Sequence, residues 1–577
     1  MTDIGVVNIA SHLKTIARSR PFAPAVFCPS GRDRSGRTRY VHWTYQQLDA
    51  ESDRIAKGLG SNGVGRGVRT VLMVKPSLEF FSLTFALFKL GAVPILIDPG
   101  MGIKNLGRCL DEAQPVAFIG IPRAQVARRL LGWGRATLQF TLTVGRELTY
   151  QRIERSVKRR FDPREWLPRA GIELGGAMDV LWDPGHDEES VEIAPTRPDE
   201  TAAILFTSGS TGPPKGAVYT HAIFAAQVEL LRNLYGIEPG EIDLCTFPLF
   251  ALFAPALGMT AVIPEMDATR PAHVDPNKIL EPIESFGVTN LFGSPALLKR
   301  VGGFGAERGI TLPSLRRVVS AGAPVPARVI ETFAKMLMND AEIHTPYGAT
   351  EALPVASINS RAILGETRQA TDRGAGVCVG RPVEGMRVAI IRITDAAIPN
   401  WSDDLELPDG QIGEIAVQGP VATREYFKRP AATALAKIAG PNGGFWHRMG
   451  DLGYRDDPGR IWFCGRKAHR VITPAGTLFT IPCEAVFNTH PAVSRAALVG
   501  VGTPGKMKPV LCVELARPRV TDDLQRLRTE LLEIGARFPH TREIRTILFH
   551  PSFPVDIRHN AKIFREKLAI WAARKLR

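Results

Sequence analysis

Short apolar runs recur along the chain, each bounded by glycine, proline or charged residues: Val68 to Val74, Val116 to Ile121, Ala202 to Phe206 and Val318 to Ala321. Runs of that length, without polar alternation, are what strands covered on both faces require. Between them lie stretches whose apolar residues return every three or four positions, such as Gln46 to Leu59, the spacing of one helix face. Strand-like and helix-like segments alternating in this way predict a layered α/β architecture. No internal repeat or low-complexity tract interrupts the alternation.

Two stretches depart from that rhythm. Leu244 to Pro264 runs for 21 residues without a charge, long enough to cross a bilayer by length alone. Pro248, Pro255, Gly258 and Pro264 divide it into pieces too short to satisfy their own backbone in lipid, so it predicts a buried strand and helix beside an apolar pocket. The second stretch, Ala561 to Arg577, carries Ile563, Phe564, Leu568 and Trp571 among six basic residues. It reads as a basic amphipathic helix whose apolar side packs on its own domain, with a bilayer surface as the alternative.

Composition narrows the class. A 577-residue chain with 44% hydrophobic and 23% charged residues is an ordinary globular composition, large enough for several domains. Seven cysteines (Cys28, Cys109, Cys245, Cys378, Cys464, Cys483, Cys512) are scattered without a CxxC pair. That argues against a zinc site or disulfide framework and for a reducing, cytoplasmic compartment. The segment MTDIGVVNIASHLK has no long apolar core after a basic start, so no signal peptide is expected. The net charge is +14, and twelve arginines or lysines stand between Arg123 and Arg169, including Lys158, Arg159 and Arg160, against far fewer acids. This basic face reads as a solvated surface, a protein contact or a peripheral membrane contact. Nucleic acid is not expected, because no binding module or interleaved aromatic pattern accompanies the charge.

The segment richest in chemistry is Thr207 to Gly216, TSGSTGPPKG. Ser208, Ser210 and Thr211 offer hydroxyls, Gly209, Gly212 and Gly216 let backbone N–H groups approach an anion, and Lys215 adds a charge. A buried strand (Thr201 to Phe206) leads into it and a helix follows Thr220. It is not a Walker loop, since Pro213 and Pro214 separate Gly212 from Lys215. A flexible Ser/Gly linker is the competing reading, against which stand the entering strand and the two prolines.

This loop closely resembles the phosphate-binding signature of the adenylate-forming superfamily: acyl-CoA synthetases, firefly-type luciferases and peptide-synthetase adenylation domains. Other motifs of that superfamily follow in order across nearly the whole chain. They are TYQQL (Thr44 to Leu48), KLGAVPILIDP (Lys89 to Pro99), AGAP (Ala321 to Pro324), YGATE (Tyr347 to Glu351), GEI (Gly413 to Ile415), GDL (Gly450 to Leu452), GRK (Gly465 to Lys467) and NAKIFR (Asn560 to Arg565). The resemblance implies a large N-terminal adenylation domain of layered sheets and helices, residues 1–466, and a small mobile α+β C-terminal domain, residues 467–577.

It also implies roles. A carboxylate is made displaceable by joining it to AMP, which needs counter-charge on the α-phosphate and on departing pyrophosphate. By resemblance, Lys562 bridges substrate carboxylate and α-phosphate, with Lys215 as a second catalytic cation. Thr350 hydrogen-bonds the α-phosphate, and Glu351 with Thr207 holds Mg²⁺, a hard cation suited to oxygen ligands. The ATP site takes in Thr207, Ser208, Gly209, Ser210, Thr211, Gly212 and Lys215, the turn Ala321, Gly322 and Ala323, and Tyr347, Gly348 and Thr350, with Tyr347 stacked on adenine. Asp451 and Arg466 complete it at the ribose. Phe247, Phe250, Ala251 and Phe253 form the acyl wall.

Departures from the superfamily pattern point to a branch. Ala251 stands where many acyl-CoA synthetases have a gating histidine, and Ala468 where many members place a charged hinge residue. Met449 and Ala561 replace a usual threonine and glycine. The variable segments Pro99 to Asp111, Ala127 to Gly134 and Thr477 to Glu484 resemble the β-lactone-forming branch of bacterial long-chain olefin biosynthesis. That resemblance implies activation of a 2-alkyl-3-hydroxyalkanoic acid and ring closure by its own hydroxyl, which needs no thiol site because an internal nucleophile has a high effective molarity. It further implies cooperation with an upstream reductase and a downstream β-lactone decarboxylase. An acyl-CoA or acyl-carrier ligase and a non-catalytic nucleotide-binding module remain alternatives at this point.

Overall fold

The computed structural model describes residues 7–145, 190–206, 213–516, 521–555 and 563–577. The chain divides into two compact units. Unit 1 comprises Met1–Ala268, Asn277–Phe292 and Thr423–Thr433, and unit 2 comprises Thr269–Pro276, Gly293–Ala422 and Ala434–Arg577.

Unit 1 contains strands β1 (Pro24–Arg32), β2 (Thr38–Thr44), β3 (Arg69–Met73), β4 (Val93–Ile97), β5 (Ala117–Gly120), β6 (Phe140–Thr143), β7 (Thr201–Phe206), β8 (Gly216–Thr220), β9 (Ile242–Cys245), β10 (Thr260–Val262) and β11 (Asn290–Phe292). One sheet has the order β6-β5-β3-β4-β7-β8 and is parallel except for its last pair. Helices joining parallel strands bury both faces, which is why these strands are uniformly apolar. On this sheet Val71, Ile95, Phe118 and Ile204 share a core with Leu106, Leu110 and Trp133. In the other sheet β11, β9, β10 and β1 run parallel, and β2 closes it antiparallel to β1.

Helix Tyr45–Ser61 starts where Thr44 accepts from the Gln47 N–H and Gln47 returns the bond, a capping box. Helix Leu78–Lys89 is buried along almost its whole length. Lys89, fully buried at its end, survives there because Asp49 (2.5 Å) and Asp53 (2.7 Å) on the first helix neutralise it. The charge-free stretch folds as its prolines and glycine require, into β9, the short helices Pro248–Ala251 and Phe253–Leu257, and β10. Among the described residues no helix is long and apolar enough to cross a membrane.

Unit 2 contains β12 (Arg317–Val319), β13 (Glu342–Ala349), β14 (Ala352–Asn359), β15 (Val377–Pro382), β16 (Arg387–Ile391), β17 (Gly413–Gln418), β18 (Lys437–Ala439), β19 (Phe445–Arg455), β20 (Ile461–Arg466), the hairpin β21 (Val471–Thr473) and β22 (Gly476–Leu478), and β23 (Val493–Val501), β24 (Lys508–Leu515) and β25 (Thr546–Phe549). The order β16-β17-β19-β20-β15-β14-β13-β12 is antiparallel up to the parallel pair β13 and β12. After residue 466 the chain builds a separate three-stranded sheet, β23-β24-β25. Helix Arg565–Lys575 lays Leu568 and Ala572 on Ala497, Val499, Val510 and Cys512 of that sheet, so the basic terminal helix packs on its own domain. All seven cysteines are buried and free.

Candidate active site

In unit 1, β7 and β8 are antiparallel with Phe206 opposite Gly216, and residues 207–215 join their ends. The junction lies at the carboxyl end of β7, beside the end of β4, where Ile97 is opposite Phe206. That is the edge at which open α/β sheets bind ligands. The sequence places a helix after this loop; β8 intervenes first, and helix His221–Tyr235 then begins at Thr220, whose hydroxyl accepts from the Ile223 N–H. Gly216 is dictated by packing, because a Cβ there would come within 2.8 Å of Ile204 Cγ2. Thr207, Ser208, Gly209, Ser210, Thr211 and Gly212 lie outside the described residues, as do Lys562 and the run Lys158, Arg159 and Arg160.

Lys215 is described, and its position has a cause that the sequence motif does not reveal. The segment Thr423–Thr433 runs beside β8: the Phe427 N–H donates to Gly216 O (2.7 Å) and the Val218 N–H to Glu425 O (3.2 Å). This brings the buried Tyr426 ring under the lysine, with Nζ 4.8 Å from its centroid. A cation over an aromatic face is held electrostatically by the ring without a carboxylate beside it. Arg429 ties the same segment to Glu112 (2.5 Å).

The acyl-wall residues separate into two groups. Phe247 and Phe250 lie 5.1 Å apart and form a trio with Phe292, 4.6 Å from Phe250 and 6.2 Å from Phe247. Phe292 is brought there by register, since β9 and β11 pair with Cys245 opposite Phe292. The Thr246 hydroxyl donates to Phe292 O at 2.6 Å. Phe253 instead approaches Phe224 (6.4 Å), and Ala251 is almost fully buried.

In unit 2, parallel strands β12 and β13 begin together, with Arg317 opposite Glu342, and β12 stops at Val319, opposite His344, while β13 runs on to Ala349. The turn Ala321, Gly322 and Ala323 follows β12, with Gly322 at φ +95°, a conformation that favours glycine. Along β13 come Tyr347 and Gly348, and the hairpin tip between β13 and β14, where Ala349 faces Ala352, consists of Thr350 and Glu351. Such a tip presents both side chains from a rigid base. Beyond Glu351 the sequence motif missed Lys437, on β18. Burial pushes its ammonium down to about 7, while the Glu351 carboxylate acts in the opposite direction.

Register also assembles the predicted ribose pair. Asp451 faces Arg466 across β19 and β20, and Arg466 Nη1 lies 3.1 Å from Asp451 Oδ1. The Tyr347 hydroxyl donates to Asp451 Oδ2 at 2.8 Å. Burial first and then the Asp451 charge hold the Tyr347 phenol well above its ordinary pKa, so it stays a donor. Tyr347, Asp451 and Arg466 therefore form one connected cluster, and Thr350 and Glu351 stand on the hairpin that Tyr347 enters.

The GEI and GRK motifs have a structural explanation. Glu414 and Arg448 are buried and paired at 2.6 Å, and Lys467 lies 3.1 Å from the same carboxylate. Arg448 also donates to the carbonyls of Thr394, Ala396 and Leu435.

A layered α/β chain with a lysine-bearing loop at a sheet's carboxyl edge and a Tyr–Asp–Arg cluster at the end of a β-hairpin matches a known family. The chain belongs to the AMP-binding enzyme family, whose model matches residues 13–427. It is 52% identical over 577 residues to the olefin beta-lactone synthetase of Xanthomonas campestris pv. campestris, covering 98% of each chain. It is 51% identical over 575 residues to the olefin beta-lactone synthetase of Stenotrophomonas maltophilia, covering 99% of this chain and 98% of that one. Among solved structures, the amide bond synthetase McbA from Marinactinospora thermotolerans superposes with a TM-score of 0.76 at 22% identity, over 98% of this chain and 99% of that chain. That likeness speaks to the fold.

Proposed function

We propose that the protein uses ATP and Mg²⁺ to convert a long-chain 2-alkyl-3-hydroxyalkanoic acid into its acyl adenylate, and that the 3-hydroxyl then closes a β-lactone. The observation that carries this reading is the likeness, above 50% identity and end to end, to two olefin beta-lactone synthetases. The residues fit the nucleotide. Lys215 stands over the Tyr426 ring, and Asp451 accepts from the Tyr347 hydroxyl and pairs with Arg466. A Mg²⁺ on Glu351, shared with Thr207, would take its other ligands from phosphate and water, as this cation commonly does.

In this reading the substrate carboxylate oxygen attacks the α-phosphorus and pyrophosphate departs, while Lys562 and Lys215 supply counter-charge and Thr350 bonds the α-phosphate. Thr207, Ser208, Gly209, Ser210, Thr211 and Gly212 cradle the outer phosphates. Ala321, Gly322, Ala323, Tyr347 and Gly348 hold adenine, and Asp451 with Arg466 the ribose. The 3-hydroxyl oxygen next bonds to the acyl carbon and gives up its proton to the departing phosphate, the bond from that carbon to AMP breaks, and AMP leaves. Phe247, Phe250, Ala251 and Phe253 line the alkyl path, joined by Phe292. Residues 467–577 act as the small domain that delivers Lys562.

The test is product mass from ATP, Mg²⁺ and one defined long-chain β-hydroxy acid, with and without CoA. A product one water lighter than the acid, formed without thiol, is expected. A thioester that appears only with CoA would refute lactone formation and leave a CoA ligase.

A further inference from the structure

Lys215 is half-buried and, among the described residues, forms no ion pair; its neighbour is the Tyr426 ring, with Nζ 4.8 Å from the centroid. An ammonium on a flexible four-carbon stem is poorly fixed by itself. The lysine backbone is set on both sides, because Pro214 precedes it and Gly216 opens β8. The ring is set as firmly. Tyr426 is 5% exposed and bridges Ala217 in antiparallel register. Lys215 stands two positions before Ala217, hence on the same face and diagonal to Tyr426, a separation that a long side chain spans. Ala217 contributes only a methyl group to that face, which leaves the diagonal open. The Tyr426 N–H donates to Thr433 Oγ1 at 3.1 Å. Two residues on, Lys428 holds φ +53°, a left-handed conformation unfavourable to lysine. Strain of that kind persists only where the surroundings over-determine it, and here they do. Lys428 Nζ donates to Gln114 Oε1, and Arg429 grips Glu112 through Nε at 2.9 Å and Nη2 at 2.5 Å. Glu112 lies on helix Ile103–Ala113 and Gln114 caps it, so the segment that carries the ring is fastened to the body of unit 1.

Given the counter-charge role proposed for Lys215, we infer that Tyr426 is a positioning residue for the reaction with ATP: its ring presents the Lys215 ammonium to the phosphates. A carboxylate would also hold a lysine, but it would compete with phosphate for the same cation. An aromatic face attracts the cation through its quadrupole and bears no net charge to compete. Tyr426 touches neither substrate nor nucleotide in this scheme and acts through Lys215 alone. A tyrosine serving only the core contributes buried area, which leucine largely replaces. A positioning tyrosine needs the π-face, which phenylalanine keeps and leucine lacks. A cation–π contact of this kind changes an equilibrium by about two- to thirtyfold.

The experiment is pyrophosphate–ATP exchange by the full chain with one long-chain β-hydroxy acid, read as kcat and KM for ATP. Tyr426→Leu should lower kcat/KM by about tenfold, chiefly by raising KM, whereas Tyr426→Phe should stay within about twofold of the parent protein. Misfolding would instead lower kcat with the fraction of active protein and leave KM as it was. In a Lys215→Met background no ammonium is left to position, so adding Tyr426→Leu should change the residual exchange by less than about twofold. An equal loss from Tyr426→Leu in both backgrounds, equal exchange by the leucine and phenylalanine variants, or a loss confined to kcat would each overturn the assignment of Tyr426. Exchange by Lys215→Met at the parent rate would overturn it as well, by removing Lys215 from the reaction. That result alone marks a failure of the role proposed for Lys215; with Lys215→Met impaired, the other three mark a failure at Tyr426.

Discussion

Replacing Glu414 by Met removes the carboxylate that neutralises Arg448, and both side chains are almost wholly buried, at 1% and 2% exposure. Breaking a buried pair by removing one partner costs about 3–5 kcal/mol, because an uncompensated charge is left behind. Arg448 keeps three carbonyl acceptors, at 2.5 Å, 2.7 Å and 3.2 Å, and these pull the expected cost toward about 3 kcal/mol. Lys467, at 19% exposure, can turn to water and adds little. With a urea m-value of about 3 kcal/mol per M or more for a body this size, the midpoint falls by at most about 1 M. Trp446, on the same strand as Arg448 and stacked on Trp401 at 4.2 Å, gives a local fluorescence signal. The decisive comparison is the double variant Glu414→Met with Arg448→Met. If the single change is costly because a charge is stranded, the double should recover at least half of the summed loss, the remainder coming from carbonyls deprived of donors at about 1 kcal/mol each. Strict additivity of the two single changes would refute the reasoning.

Other outcomes follow from the same geometry. Asp451→Asn cannot offer a charged acceptor to two ribose hydroxyls, each worth about 1.5 kcal/mol or more, so pyrophosphate–ATP exchange should fall about a hundredfold or further; an unchanged rate would remove Asp451 from the nucleotide site. His221 is fully buried, with Nδ1 accepting from the Ile9 N–H, and burial lowers its pKa from 6.5 to about 4. Its folded pKa lies below its unfolded one, so the unfolded state binds the extra proton between those values and stability is lost as pH falls from about 6.5 toward 4, by about 3 kcal/mol in all. His221→Asn should flatten that part of the pH–stability curve, and an unaltered curve would mean other groups set it. Phe292→Ala should lower kcat/KM for long-chain acids tenfold or more while sparing short ones, given about 0.8 kcal/mol per buried CH₂; equal losses for both lengths would make Phe292 purely structural.

What the sequence revealed and what it hid divide along the distance between partners in the chain. The parallel strands were legible because burial on both faces imposes uniform apolarity: Val68 to Val74 and Val116 to Ile121 contain β3 and β5 with one residue trimmed at each end, and Ala202 to Phe206 is β7 without its first residue, Thr201. Helix Gln46 to Leu59 was legible for the same local reason, strengthened by the Thr44 cap. β8 was not, since five residues of mixed character directly after Lys215 carry no period, and its second neighbour, Thr423–Thr433, lies two hundred residues away. Tyr426 and Phe292 escaped notice on that account: each reaches its partner through strand pairing that no local spacing records. Lys437 has no motif around it, and only the structure sets it within range of Glu351. Tyr347, Asp451 and Arg466 were named through resemblance, whereas their cohesion comes from the register that sets Asp451 opposite Arg466.

The same contrast resolves what Ala468 means. As a bare sequence position it looks like the loss of a charged hinge, yet the flanking residues carry the attachment. Lys467 donates to Thr394 O at 2.9 Å and pairs with Glu414, while Arg470 reaches Asp395 at 2.7 Å. The loop 394–396 thus holds the chain on both sides of the alanine, and the Asp395 carboxyl is held below its usual range by Arg470. Lys467 keeps partial access to water and Asp395 lies at the surface, so these two ion pairs are each worth about 1 kcal/mol or less. A charged side chain at 468 would add a contact of the same size, and removing it changes the balance little. Any rotation about this segment would be carried by backbone torsions, and it would have to release the contacts of Lys467 and Arg470 with Thr394, Asp395 and Glu414.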